Sequence, residues 1–399
     1  MSLKDEIVIV GGARTPMTEY NGVLKDFTLS ELGAFAAREA IRRAGVDPKE
    51  IDHVIMGNAM QTSPDAIYCA RHVGLKAGVP IETPAVTVNR LCGSGMESIV
   101  QAAHRIRLEE AQIVLAGGCE SMSQAPFVLR GVRSGLRLGN AVLEDSLMVS
   151  LMDSYCHLYM AQTAENLATK FGWSRADQDA FALRSQQLAA DAWKNCRLSE
   201  EVVPVEVKTK KGVELIKQDD HLRSDTTLEG LAKLQPAFGK GTVTAGNASG
   251  IVDGGAAVVV TSAACARQRG LKPIGRVIGW AVAGVEPELM GRGPVPAVGK
   301  VLEKTGMKLE QMDLVEVNEA FAAQYLGVEK ELGLDRDKVN VNGGAIALGH
   351  PLGASGTRLV ITILYELRRR HKRYGLTTAC IGGGQGIALI LEANNASWS

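Results

Sequence analysis

Residues 86–106 read VTVNRLCGSGMESIVQAAHRI, and residues 339–356 read VNVNGGAIALGHPLGASG. In each, a β-rich run breaks at glycines and a helix-period segment follows. After the first break Met96, Ile99, Val100, Ala103 and Ile106 recur at helical spacing. After the second, Leu359, Val360, Ile363, Leu364 and Leu367 mark one buried face. Each stretch thus predicts a strand, a glycine turn and a helix, with Cys92 at one helix N-terminus and His350 just before the other.

Outward from these stretches the same order recurs. EIVIVGG (6–12), a helix over LSELGAFAAREAIRRAG (29–45), HVIMGN (53–58), VTVN (86–89) and QIVLAGG (112–118) alternate strand and helix patterns. In the last third DLVEVNEAF (313–321) echoes DHVIMGN (52–58), and TTACIGGGQGIALI (377–390) echoes QIVLAGGCESMS (112–123), so an α/β unit is duplicated. Between the copies the texture turns charged and amphipathic, as in RADQDAFALRSQQLAADAWKN (175–195), which predicts an inserted, more helical domain facing substrate. The expected division is 1–121 with 251–273 for the first half, 122–250 for the insertion and 274–399 for the second half. A chain of 399 residues exceeds the roughly 250–300 beyond which single cores split. Arg130, Arg133 and Arg137 in VLRGVRSGLRLGN (128–140) follow neither period and predict an exposed basic loop, either solvated or at a subunit contact.

Composition narrows the function. The 44 Lys and Arg balance 44 Asp and Glu, so no global field draws nucleic acid or an anionic membrane. The seven cysteines are scattered, odd in number and form no CxxC pair, against a disulfide framework or a zinc site and in favour of a reducing compartment. The start, MSLKDEIVIVGGARTP, lacks the basic and apolar stretches of a signal peptide, and no run approaches the roughly 18 apolar residues of a membrane span.

The chemistry centres on Cys92. Free N–H groups at a helix start favour the thiolate, the nucleophilic form, and Gly93 and Gly95 are expected to let substrate approach. His350 can take a thiol proton or donate to an oxygen, although a loop histidine bonded only to backbone or water has the same sequence signature. Asn318 reads equally as a helix cap or as a polar group at a strand end. Cys380 precedes a run of three glycines joining two strand-like segments, which exposes backbone N–H groups beside its thiol. GGGQG lacks GxGxxG spacing and leads into a strand, so nucleotide redox chemistry is not expected.

NRLCGSGMES (89–98), AGNASGIVDG (245–254), VNEAF (317–321), NGGAIALGHPLGASG (342–356) and CIGGGQG (380–386), in this order, resemble the thiolase family over essentially the whole chain. Stretches such as DAIYCARHVGLKAGVP (65–80) and MGRGPVPA (290–297) resemble its mitochondrial-type 3-ketoacyl-CoA branch, with acetyl-CoA acetyltransferases as the sister branch. The resemblance implies two βαβαβαββ halves stacked in five layers, α-β-α-β-α, with an inserted loop domain. It implies reversible acyl transfer between CoA thioesters, in which Cys92 becomes acylated, His350 activates it, and Cys380 moves the proton of the α-carbon or of the CoA thiol. Asn318 would position a water beside His350 in one oxyanion site, and the N–H groups of Cys92 and Gly382 would form the other. For CoA and the acyl group the matching positions are Arg223, Ser249, Ala245, Phe321, Met160 and Tyr159. Tyr159 stands where acetoacetyl-CoA-specific members carry His, which leaves chain length open. His53, His72, His104, His221 and His371 are read as structural. No permanent cofactor or metal is implied; CoA and its thioesters are substrates, and a homodimer or homotetramer is expected. A cytoplasmic location is expected, with the mitochondrial matrix as alternative. The rival readings are a ketoacyl-synthase-like condensing enzyme, whose site would need two histidines, and an inert CoA-ester-binding protein.

Overall fold

A computed structural model describes residues 6–210 and 212–394; residues 1–5, part of the stretch read for a leader, lie outside the described residues. The first half runs β1 (Ile7–Arg14), α1 (Leu29–Ala44), β2 (His53–Gly57), α2 (Cys69–Lys76), β3 (Ala85–Val88), α3 (Ser94–Arg107) and β4 (Ile113–Glu120). The inserted region contributes α4 (Met160–Phe171) and α5 (Arg175–Lys194) before β5 (Val252–Ser262) returns to the sheet. The second half follows as β6 (Gly275–Gly284), α6 (Pro294–Thr305), β7 (Leu314–Val317), α7 (Ala322–Leu332), α8 (Leu352–Arg369), β8 (Tyr374–Ile381) and β9 (Gln385–Ala393). Local signals set these ends. Thr28 and Glu31 form a capping box at the start of α1, and Gly45 closes it in the left-handed conformation.

The strand order is β7-β8-β9-β6-β1-β5-β4-β2-β3, and the two half-sheets join where Ile7–Ile9 pair antiparallel with Val277–Gly275. Strand alternation shows the layering. Ile7 and Ile9 enter a central apolar cluster with Ala256, Val258 and Val260, whereas Val8, Val10, Ala257 and Val259 face the outer cluster beneath α1 and α2. Ile387, Leu389 and Leu391 join the same central cluster from the second half-sheet, while Ala388 and Ile390 face α6 and α7. Helices α3 and α8 therefore lie between the sheets. Enclosure explains one departure from the pattern: α8 was expected to bury one face, yet every residue from Leu352 to Leu367 is buried. A second departure concerns VNVN (339–342), which echoes VTVN in sequence but forms only isolated bridges, Val315 with Val339 and Val341 with Gly343. The basic loop is exposed as expected, except that Phe127–Leu129 pairs with Leu143–Asp145.

Central packing depends on two glycines. A Cβ on Gly95 would lie 2.5 Å from the Thr357 backbone nitrogen, and one on Gly356 would lie 2.5 Å from that of Met96. The helices thus touch backbone to backbone at equivalent points of the repeat. The inserted region is tied down by Arg14, fully buried at the end of β1, which bonds Glu201 at 2.6 Å and grips Asp219 through both terminal nitrogens at 2.6 and 2.9 Å. Removing one partner of such a buried pair costs about 3–5 kcal/mol.

Gly95→Ala is expected to destabilise by about 1–3 kcal/mol through overpacking. Gly299→Ala in α6, where an added Cβ meets nothing within 4 Å, is expected to stabilise by about 0.5–1 kcal/mol. Denaturant midpoints of the two variants check the pair; equal midpoints would contradict the packing argument.

Candidate active site

The turn that presents Cys92 is held by its own side chains. Asn89 Oδ1 accepts the Leu91 N–H at 2.9 Å, and Ser94 Oγ accepts the Arg90 N–H at 2.9 Å while donating to the Leu91 carbonyl at 2.7 Å. This knot keeps Leu91 at φ 44°, a left-handed conformation that disfavours a branched apolar side chain. Cys92 follows in a short 3-10 turn leading into α3. The neighbouring glycines do not serve substrate approach: an added Cβ on Gly93 would meet Ile381 at 2.6 Å, and Gly95 is taken up by α8. Both make room for protein.

Cys92 opens into a mostly apolar cavity of about 490 Å³, which His350, Gly382, Met160, Tyr159, Ala245, Ser249 and Phe321 also line. Sequence positions 92 to 382 thus converge on one chamber. Asn318 and Cys380 stand behind its wall. Cys380, fully buried at the end of β8, packs with Met290, Ala320, Met160 and Phe321. Tyr159 stacks on Phe238 with ring centroids 4.7 Å apart, and both rings face the cavity. Ser249 is fixed by its N–H to the Ala320 carbonyl at 2.9 Å, and Ala245 lies in a turn braced by buried Asn247.

Asn318 is not a cap. Helix α7 begins four residues later, at Ala322, with Phe321 as its N-cap, and the Asn318 N–H instead continues the β7–β8 ladder to the Thr378 carbonyl at 2.9 Å. Its Nδ2 donates to His350 Nε2 at 3.3 Å, and its Oδ1 is buried with no protein partner among the described residues. On the other side of the ring, His350 Nδ1 meets Ser355 Oγ at 2.6 Å, while that hydroxyl donates to the Pro351 carbonyl at 3.0 Å. With the hydroxyl hydrogen directed at Pro351, Oγ is the acceptor, so Nδ1 carries the proton and Nε2 presents a lone pair. Ser355 lies five residues on within the glycine-rich motif read for His350, and that shared motif was the available signal.

Burial dominates the proton affinities. It lowers His350 to about 3, with the Arg358 guanidinium adding to the effect, so the imidazole is neutral. It raises Cys92 to about 11, against the expectation from the helix start; the Gly382 and Cys92 N–H groups pull the thiol down and the Glu120 charge pushes it further up. Cys380 is raised by burial and then by the charge that Cys92 would carry as a thiolate. At neutral pH the site therefore holds two thiols and a neutral base.

The mouth of the cavity departs from expectation. Arg223 does not line it: the side chain bends to Glu19 and to the Asp220 carbonyl, and is 54% exposed. His221, read as structural, does line it, with Nδ1 2.9 Å from Glu19 Oε1 and its ring against Gly250. It stands two residues before Arg223 in the sequence.

Residues 7–264 match the family description "Thiolase, N-terminal domain" and residues 271–393 match "Thiolase, C-terminal domain". The chain belongs to the thiolase family. It is 53% identical over 395 residues to the human mitochondrial 3-ketoacyl-CoA thiolase, covering 98% of this chain and 100% of that one. It is 50% identical over 390 residues to an acetyl-CoA acetyltransferase of Chromobacterium violaceum, covering 97% and 99%. The crystal structure of the human mitochondrial thiolase in complex with CoA superposes with a TM-score of 0.96 at 52% identity, covering 99% of each chain. As a thiolase the chain has the five-layered fold of its family and is an enzyme of the acyltransferase class.

Because the Cys92 thiol is pushed up, its alkylation by iodoacetamide should rise about tenfold per pH unit from pH 7 to 10. Mass spectrometry of the Cys92 peptide follows the rate. A plateau near the ordinary cysteine value of about 8.5 would contradict the burial argument.

Proposed function

We propose that the chain catalyses reversible acyl transfer between CoA thioesters, 3-ketoacyl-CoA plus CoA to acyl-CoA plus acetyl-CoA, with Cys92 as the covalent nucleophile. The observation that carries this reading is the convergence of Cys92 and a neutral His350 on one cavity, with Cys380 packed against its lining residues Met160, Met290, Ala320 and Phe321. Acyl transfer needs a nucleophile and its base; making or breaking the adjacent carbon–carbon bond needs a second, separate proton carrier. The site has both.

In the cleavage direction His350 Nε2 accepts the Cys92 proton as the sulfur attacks the 3-keto carbon. The bond between C2 and C3 breaks, its electron pair passes into the acetyl-CoA enolate, and Cys380 protonates that carbon. The resulting Cys380 thiolate takes the proton of incoming CoA, whose sulfur attacks the acyl carbon; Cys92 leaves and regains its proton from His350. Condensation is the reverse. The Gly382 and Cys92 N–H groups, both of which favour the Cys92 thiolate, would be donors to the oxygen of the acyl group on Cys92. Preorganised donors of this kind contribute about 3–4 kcal/mol each. Asn318, with its free Oδ1, suits a water that together with His350 faces the second thioester oxygen.

CoA is a substrate here and not a resident cofactor. Its pantetheine arm would run past Ser249 and Ala245 towards the mouth, and Arg223 would meet the nucleotide end. Tyr159, Met160 and Phe321 would contact the acyl group. A homo-oligomer fits an edge strand, β3, paired on one side only and flanked by exposed Ile67, Tyr68, Ile81 and Val86. Among the described residues no helix is long and apolar enough to cross a membrane. Seven cysteines without a disulfide suit a reducing compartment, cytoplasm or mitochondrial matrix, and the mitochondrial relatives favour the matrix.

Loss of the acetoacetyl-CoA enolate absorbance on adding CoA tests the reading. Cys92→Ala should abolish it; an unaffected rate would falsify the nucleophile assignment. Cys380→Ser should still be acylated at Cys92 but exchange the α-proton of acetyl-CoA for deuterium at least about 100-fold more slowly, and normal exchange would count against its role.

A further inference from the structure

Strand register makes the two halves comparable residue by residue. Gly57 pairs with Gly118 across β2 and β4, and Val317 pairs with Thr378 across β7 and β8. One residue onward Asn58 corresponds to Asn318, and two residues onward Glu120 corresponds to Cys380. Helices α3 and α8 match at Gly95 and Gly356, so Cys92 corresponds to Gly353. The meeting of Cys92 with Cys380 therefore has a counterpart in Gly353 with Glu120. There it is a hydrogen bond, from the Gly353 N–H to Glu120 Oε2 at 2.9 Å.

Glu120 is fully buried, and neutral donors surround it. Oε2 also accepts the Ala59 N–H at 3.0 Å, while Oε1 accepts the Met60 N–H at 3.0 Å and Asn58 Nδ2 at 2.7 Å. These donors belong to two places that matter for the proposed chemistry. Gly353 is in the first turn of α8, whose free N–H groups and positive dipole end suit a carboxylate, and His350 immediately precedes that turn. Met60 and Leu352 belong to the apolar cluster against which both Ala59 and Cys92 pack. The junction has no slack: a Cβ on Gly353 would lie 2.7 Å from both the Gly57 and Cys119 carbonyl oxygens.

We propose that Glu120 is a positioning residue for acyl transfer, tying the first turn of α8 to residues 58–60 so that His350 is held in register with Cys92. It does not line the substrate cavity and touches no reacting atom. The inference rests on the roles proposed above for Cys92 and His350. Glu120→Gln replaces one acceptor oxygen by an amide nitrogen that faces backbone donors and cannot accept from them. Misplacement of a catalytic group by about 1 Å lowers rate about 100-fold.

In the full-length enzyme, Glu120→Gln should lower kcat for acetoacetyl-CoA thiolysis about 10- to 100-fold per Cys92 titrated with iodoacetamide, with KM for CoA changed less than about threefold. A merely structural role would lower the titre of Cys92 and leave the rate per titrated site intact. An unchanged kcat per site overturns the proposal. Asn58→Ala, which removes one donor and keeps the carboxylate, should lower kcat about 3- to 10-fold. If Glu120→Gln does not fold, an unchanged kcat in folded Asn58→Ala overturns it instead. Cys92→Ala is measured in parallel: activity there defeats the nucleophile reading, whereas a normal rate in Glu120→Gln with inactive Cys92→Ala defeats only the positioning claim.

Discussion

The backbone contact between α3 and α8 at Gly95 and Gly356 is the constraint from which the site follows. Only glycine at both points lets two helices from different halves approach this closely between two sheets. Their N-terminal ends then open on the same side, one led by Cys92 and the other by His350. The residue just past β7 and the end of β8 bring Asn318 and Cys380 against the wall of the same chamber. Duplication thus sets two helix starts and two strand ends around one chamber, and each half supplies groups the other lacks.

Burial then shapes the chemistry. A thiol at a helix start is usually expected to ionise readily, yet here loss of water outweighs the helix end and the nearby N–H groups, leaving Cys92 raised to about 11. The same burial lowers His350 to about 3. The resting pair is therefore neutral, and charge arises only when substrate is attacked, next to donors already in place.

Much of this was legible in the sequence because the chemistry-bearing residues sit in glycine-rich turns between strongly periodic elements. Cys92, His350 and Cys380 stood out in such turns, while Gly382 and the roles of all four came from the resemblance to the thiolase family. Asn318 was ambiguous because a strand end and a helix cap use the same residue, and only the ladder bond to Thr378 separates them. Gly93 and Gly95 were read as openings for substrate because sequence does not say what fills the space above a glycine. The enclosure of α8 on all sides, the pairing of His221 with Glu19 and the four donors on Glu120 depend on contacts between distant segments, which no local pattern encodes. The same holds for VNVN, whose strand-like residues lack a full ladder partner.

Which sulfur carries the acyl group decides the mechanism most directly. Acetyl-CoA added to the Cys380→Ser enzyme, followed by acid quench and peptide mapping, should find acetyl on the peptide containing Cys92 at close to one per chain. Acetyl on any other residue, with the Cys92 peptide unmodified, would contradict it.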